Sequence, residues 1–358
     1  MVSLLVFLFV FGLLILVHEF GHFIVAKKLG VRVEKFSLGF GKALFTRKKG
    51  GTEYTINALP LGGYVKLAGD NPQEYKHKPD EYLSKTPSER AAIILFGPLL
   101  NYAMGFLCFW LIFFAGYPTL TTKVGGLIDG FGAKDAGVEA GDKIIAVNGK
   151  NVAYWEELQK IIHDSKGAAA MKFTILRNNK EIELDIKIKE KEVQDLIGTK
   201  QNIGLIGITP EDEIIRVRHG FWRSCFLGIE KTRDLTAMTY KALWRMITGK
   251  LSFRDSVTGP LGIFYITSKA AHLGIIAVLH LVAVLNISLA IFNLLPLPVL
   301  DGGHILLLGL EKIRGRALSM KAEQAVTHFG LTLIIALAVI ATYNDILKFK
   351  DKIFSCFK

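Results

Sequence analysis

The sequence predicts a polytopic α-helical membrane protein of about four spans, carrying a membrane-associated β hairpin or sheet and one inserted extracytoplasmic α+β domain. Three observations lead there. The 358 residues are 51% hydrophobic with a mean hydropathy of +0.35, more apolar than a typical soluble enzyme. That hydrophobicity is gathered into blocks at 2–17, 91–116, 274–300 and 329–343, each long enough, or nearly so, to cross a hydrocarbon core ~30 Å thick as a helix. Between the second and third blocks, residues 123–190 change texture, with glycine turns and alternating runs such as KFTILRN and EIELDIKIK around a helix near 154–163.

The N-terminal membrane part covers 1–116. Its first span, 2–26, lacks the basic start and small-residue cleavage site of a secretory signal. Lys27, Lys28, Arg32 and Lys35 follow it directly, so its carboxyl end is expected on the cytoplasmic side. Residues 31–69 hold three strand-like runs, VRVEKFSL, EYTINAL and GYVKLAG, read either as a cytoplasmic hairpin or as a β structure dipping into the membrane. The second span, 91–116, returns outward to the 123–190 domain. A connecting region, 191–260, contains a mixed aromatic and charged helix at about 219–250, lying on the membrane surface or packed on the external domain. In the C-terminal membrane part, 261–347, the third span (274–300) runs inward to Lys312, Arg314, Arg316 and Lys321, and the fourth (328–347) outward. The lysine-rich tail, 348–358, is discordant with that count.

The formal net charge is +12, yet many basic residues flank the apolar blocks, where lipid headgroups account for them, and no basic stripe with interleaved aromatics marks a nucleic-acid partner. Cys108, Cys225 and Cys356 are too scattered for a disulfide framework or a cysteine zinc site.

Chemistry enters with residues 18–22, His-Glu-Phe-Gly-His. Histidines at i and i+4 share one helix face and can grip a single Zn²⁺, with Glu19 beside them as general base on a water that the metal activates. Ionisable groups adjoining an uninterrupted apolar span are expensive in lipid, which favours a functional site. A catalytic zinc takes three protein ligands, and Asp301, in the run NLLPLPVLDGGH, is the expected third; His304 ranks below it. The seventeen residues before His18 span about 25 Å of helix, so the histidines and Asp301 should meet at similar depth near the cytoplasmic face.

HEFGH in the first span and NLLPLPVLDGG in the third resemble the RseP branch of the site-2 proteases, a family of intramembrane zinc metalloproteases. LGFG (Leu38–Gly41), ALPLGGYV (Ala58–Val65), GPLLN (Gly97–Asn101) and GPLGI (Gly259–Ile263) extend the match over most of the chain. The stretch from Val124, and AGVEAGDKIIAVNG above all, resembles a single PDZ domain of the protease-associated type; such domains bind peptide C-termini, here at a loop near Val124–Ile128.

The resemblance implies zinc-dependent cleavage of single-span membrane proteins, such as anti-sigma factors or signal-peptide remnants, in the bacterial inner membrane among its lipids. It implies a re-entrant β structure offering an edge strand to substrate, with Gly39, Gly41, Asn293, Pro296 and Pro298 handling it. The two prolines break helical hydrogen bonding before Asp301, either opening the backbone to substrate or turning the ligand inward. Ser288 stands where the family motif has a second asparagine. Two rival readings are a non-catalytic PDZ membrane scaffold, opposed by the intact Glu19, and a zinc transporter, opposed by ionisable groups clustered at one end.

Overall fold

The computed structural model describes residues 2–165, 168–194, 198–316 and 319–355; Cys356 and the end of the tail lie outside them. Two compact units result, one from the chain up to Ile112, Ser224–Trp244 and Ser252 onward, the other from Phe113–Arg223 with Arg245–Leu251. Among the described residues, four helices are long and apolar enough to cross a membrane: Val2–Lys28, Pro87–Ala115, Ile275–Asn293 and Gln324–Phe349.

Helix α1 (Val2–Lys28) ends on Lys27 and Lys28, cations that suit the negative end of the helix dipole. Strands β1 (Val33–Lys49) and β2 (Thr52–Leu67) replace the three short runs read from sequence. Their pairing is folded back on itself. Ala43–Lys49 pairs with Thr52–Asn57 as a hairpin, while Val33–Leu38 lies between Gly63–Leu67 on one side and Glu53–Ile56 on the other. On that second side the numbers rise together, from Lys35↔Glu53 to Leu38↔Ile56, so the pairing is locally parallel. The reversal needs backbone that only glycine adopts easily, and Gly39 (φ +84°), Gly41 (φ +87°) and Gly62 (φ +133°) supply it. Asn57 secures the bend by donating from Nδ2 to Ser37 Oγ (2.8 Å) and to the Gly39 carbonyl (2.9 Å).

Helix α2 (Pro87–Ala115) starts ahead of the apolar block because a capping box fixes its end: the Thr86 amide donates to Glu89 Oε2 (2.9 Å) and the Glu89 amide to Thr86 Oγ1 (3.3 Å), with Pro87 at the first helical position.

The inserted unit runs β3 (Tyr117–Leu120), β4 (Val124–Leu127), α3 (Gly132–Asp135), β5 (Lys143–Val147), β6 (Lys150–Asn151), α4 (Trp155–Asp164), β7 (Ala170–Arg177), β8 (Lys180–Lys187), β9 (Lys189–Gln194), β10 (Lys200–Leu205), β11 (Ile208–Pro210) and β12 (Ile214–Val217). A four-stranded sheet, β6-β5-β7-β8, packs with α4 around Ile144, Leu158, Phe173, Ile175 and Ile186. The unit reaches past residue 190, because β3 and β4 find their ladder partners in β12 and β11, and Ile206 joins the core. Val124–Leu127, where the peptide loop is expected, is paired on one edge by Ile208–Pro210, and Gly204 of the later segment packs closely on α4.

Helix α5 (Phe221–Ile247) is the amphipathic helix, and within the membrane unit it lies along α2. Buried Ser224, Gly228 and Thr232 form the contact face; a Cβ on Gly228 would stand 3.1 Å from the Trp110 nitrogen, and Thr236 Oγ1 is 2.9 Å from Tyr102 Oη. Then come α6 (Phe253–Ser256), α7 (Pro260–Leu273), α8 (Ile275–Asn293), α9 (Asp301–Arg314) and α10 (Met320–Ser355). Helix α7 packs on α1 through Phe264 and Phe7, centroids 5.4 Å apart. Its amino end is held by fully buried Asp345 of α10, which accepts from the Gly259 (3.1 Å) and Gly262 (2.8 Å) amides. The third span stops at Asn293, seven residues short of the sequence boundary. Pro296 and Pro298 have no N–H to continue it, and Val299 takes φ +77°.

Candidate metal centre

His18 and His22 project from consecutive turns of α1, and their Nε2 atoms lie 3.2 Å apart. Asp301 reaches them from a different place than hydropathy implies. It does not close the third span but opens α9, where unpaired amides and the helix dipole favour a carboxylate. Between α8 and α9 the chain turns tightly: Leu297 N–H bonds the Leu295 carbonyl (2.7 Å) and Leu300 N–H the Leu297 carbonyl (3.2 Å). Gly302 and Gly303 make the turn possible, since a Cβ on either would overlap the Leu294 or Leu297 carbonyl. Asp301 Oδ2 thereby sits 3.2 Å from His18 Nε2 and 3.8 Å from His22 Nε2.

These separations suit one cation. Ligands at about 2.1 Å in a tetrahedral shell stand about 3.4 Å apart. Asp301 Oδ2 is also sealed from water with no hydrogen-bond donor, a lack that a metal would meet. Among the described residues this is the one cluster of three His, Cys, Asp or Glu ligands within such reach.

Helix α2 completes the surroundings. His22 Nδ1 is 2.9 Å from the Ile93 carbonyl, which can only accept, so Nδ1 carries the proton and Nε2 presents its lone pair to the cluster. His18 Nδ1 is buried without a hydrogen-bond partner among the described residues. Gly97 lies against both rings; a Cβ there would be closer than 3.0 Å to His22 Nε2 and Cε1 and 3.0 Å from His18 Cε1.

Glu19, His22 and Asp301 line a cavity of about 670 Å³ that continues past Val65 and Leu67 of β2 to Asp70, Arg90 and Glu311. Asp70 lies in the loop after β2, where burial pushes its carboxyl above the ordinary range against a hydrogen bond from the Leu67 amide. Gly63 brings β2 beside the site, where a Cβ would stand 3.5 Å from Glu19 Cγ.

Of the other expected residues, Asn293 is at the cluster, its Nδ2 3.5 Å from His18 Nε2. His304 faces the cavity but is not grouped with the three ligand atoms. Gly39 and Gly41 serve the β1 bend, and Gly39 is crowded by the Leu59 carbonyl. Pro296 and Pro298 shape the α8–α9 turn, and Gly330 of α10 packs tightly on Pro298. Sequence reasoning missed the Ile93 carbonyl and the packing duty of Gly97, although GPLLN marks that position.

Two histidines one turn apart, a glutamate beside them and an aspartate brought in by a second helix, all among apolar helices, have the ligand chemistry of a metallopeptidase. The sequence profile of peptidase family M50 matches residues 6–337, and the chain belongs to that family, the site-2 proteases. It is similar to the zinc metalloprotease RasP of Geobacillus kaustophilus, 30% identical with 97% of this chain and 98% of the relative covered. It is also similar to the regulator of sigma-E protease RseP of Escherichia coli, 30% identical over 95% and 97%. The PDZ domain of an SdrC-like protein from Listeria monocytogenes is 28% identical over 27% of this chain and 90% of that domain, with a TM-score of 0.20.

Proposed function

We propose that the chain hydrolyses a peptide bond inside a transmembrane segment, with His18, His22 and Asp301 holding a zinc ion and Glu19 as general base and then general acid. The convergence of the three ligand atoms, with His22 and Asp301 lining one cavity beside Glu19, carries this reading. When bound, zinc supplies Lewis acidity, bringing the pKa of water toward ~7 and polarising the scissile carbonyl. Glu19 takes a proton from the attacking water and returns it to the departing amine. His22 keeps its ligand nitrogen unprotonated through the Ile93 carbonyl, and Asn293 Nδ2 donates to a substrate oxygen beside His18.

A helical peptide bond is shielded by its own hydrogen bonds, so the substrate must be drawn out before attack. Gly63–Leu67 of β2 pairs with β1 on one side only among the described residues, and its position beside Glu19 fits it to receive an extended substrate on the other. The substrates are single-span proteins of the inner membrane, anti-sigma factors or signal-peptide remnants among them. The site works near the cytoplasmic face, and the inserted PDZ-type unit is extracytoplasmic and takes peptide C-termini.

The test uses full-length protein in detergent, measuring bound zinc and cleavage of a single-span reporter. Glu19→Gln should keep zinc and lose cleavage by at least about 1,000-fold. Undiminished cleavage would sink the mechanism, and normal zinc with no cleavage by wild type would favour a scaffold.

A further inference from the structure

The far end of the cavity holds a charged group that the hydrolytic mechanism does not use. Arg90, on the first turn of α2, is 8% exposed and lines the cavity. Its Nη2 donates to Glu311 Oε1 on α9. That is the one hydrogen bond of the guanidinium among the described residues, and Nε is sealed from water with no acceptor there. Tyr82 lies under the guanidinium, its ring 6.0 Å from Cζ, and so restrains the plane. A buried guanidinium with unused donors in a cavity wall is a poor end-point for folding alone, because an unsatisfied buried donor is destabilising and more so when charged.

Arg90, Ile93, Ile94 and Gly97 follow one face of α2, so Arg90 lies seven residues, about 10 Å, from Gly97, which packs on both metal-site histidines. On α9, Glu311 lies ten residues, about 15 Å, from Asp301. An extended peptide covers those 10–15 Å in about three to five residues at about 3.3 Å each.

We propose that Arg90 forms a carboxylate-binding subsite at the outer end of this cavity. The inference rests on the protease reading above, whose chemistry supplies the ligand. Hydrolysis breaks the C–N bond, the water oxygen passes to the carbonyl carbon, and one fragment leaves with a new carboxylate while the other leaves as an amine. Charge-assisted hydrogen bonds to a carboxylate satisfy spare guanidinium donors better than neutral carbonyls do. The positive end of α2 adds to the attraction. Glu311 neutralises part of the charge, so the group is held and then released. Asp70, the other acid of this end, is engaged by the Leu67 amide, which donates to its Oδ2 at 3.2 Å. Two sources share the chemistry: the new C-terminus on its way out, and an acidic side chain about three to five residues from the scissile bond.

The experiment measures binding of fluorescent product peptides to zinc-loaded full-length protein by anisotropy. Three peptides are compared: a C-terminal acid, its amide, and an amide with Glu four residues from the end. Wild type should bind a carboxylate-bearing peptide at least tenfold tighter than the plain amide. Preference for the acid assigns the new C-terminus, and preference for the internal Glu assigns the side chain. R90E/E311R keeps an ion pair with the charges exchanged and should abolish the preference. Should that variant fold poorly by thermal melting, Arg90→Lys, which cuts the donors from five to three, should reduce it. Equal binding of all three peptides by wild type overturns the subsite. So does a preference unchanged in the variants, since the metal alone would then hold the carboxylate. Failure of wild type to cleave a single-span reporter, measured separately, defeats the protease reading and leaves the binding ratio to be judged by itself.

Discussion

Replacing Gly97 by alanine isolates the part of the metal centre that carries no ligand. In the middle of a helix this change should help, since alanine is favoured over glycine by about 1 kcal/mol. Here the new methyl would stand closer than 3.0 Å to His22 Nε2 and Cε1 and 3.0 Å from His18 Cε1, where about 3.5 Å is the comfortable separation. The overlap must be relieved by rotating His22, which breaks its bond to the Ile93 carbonyl, or by parting α1 from α2. Parting is resisted one contact away, where Gly21 of α1 packs directly on the Phe96 carbonyl of α2. Overpacking of this kind costs about 1–3 kcal/mol. A ligand moved by about 1 Å, with its outer hydrogen bond lost, weakens metal binding by about 10- to 100-fold. Gly12→Ala, on α1, and Gly309→Ala, on α9, are matched controls, because nothing lies within 4 Å of a Cβ at either position. Zinc affinity is read by competition with a calibrated chelator on detergent-purified protein, and cleavage of a single-span reporter is read beside it. Gly97→Ala with zinc affinity and cleavage like the two controls would refute the reasoning.

Three further outcomes are expected. Gly303→Ala, whose Cβ would overlap the Leu297 carbonyl, should displace Asp301 and lower zinc affinity by at least about tenfold, with the thermal midpoint falling as well. Asp345→Ala leaves the Gly259 and Gly262 amides buried without an acceptor and should destabilise the membrane unit by about 2–4 kcal/mol, seen as faster amide exchange at the start of α7. In the inserted unit, burial alone would raise Asp142, but the two-pronged Arg177 contact (2.7 and 2.6 Å) and the Glu139 amide together outweigh it and hold the carboxyl below its ordinary range. A depressed folded-state pKa gives stability that is present above the unfolded value, about 4, and lost as pH falls through the folded value. Wild-type protection of β5 amides should therefore fall in acid below about pH 4. Arg177→Ala should lower it by about 2 kcal/mol at pH 7 and weaken the acid trend, because the Glu139 amide is then left alone to oppose burial at Asp142.

How much of this could be read from the sequence follows the range of the interaction concerned. HEFGH is legible because a four-residue spacing on one helix is a local matter, and the spans are legible because lipid imposes a length. Asp301 is legible as a ligand type but not as the first residue of a new helix. Leu294–Leu300 is as apolar as the span it follows, so hydropathy runs on through the turn, and Val299 at φ +77° is a β-branched residue that gives no turn signal. The outer strands of the inserted unit were hidden for a related reason. Ile208–Pro210 and Ile214–Val217 are short, and what makes them part of that unit is pairing with β4 and β3, far earlier in the chain.

The least legible contributor is α2, which offers the metal no ligand and yet decides how one ligand stands. In a dry apolar bundle a side chain recruited to orient His22 would need a partner of its own, whereas a backbone carbonyl is already present. The Ile93 carbonyl fills that role at 2.9 Å, and no substitution at residue 93 removes it. Pro98, without an N–H, also leaves the Ile94 carbonyl without its usual partner on the face that lines the cavity. His18 has no such support, its Nδ1 being buried and unpaired among the described residues. The two histidines are therefore unequal: His22 is pinned, and His18 is held by the cluster and by packing. The pin fails if His22 is forced to rotate or the helices shift, and the spacing between them is set by Gly21 and Gly97. Conservative side-chain changes along α2 should therefore leave the metal centre intact, while a single methyl at Gly97 disrupts it.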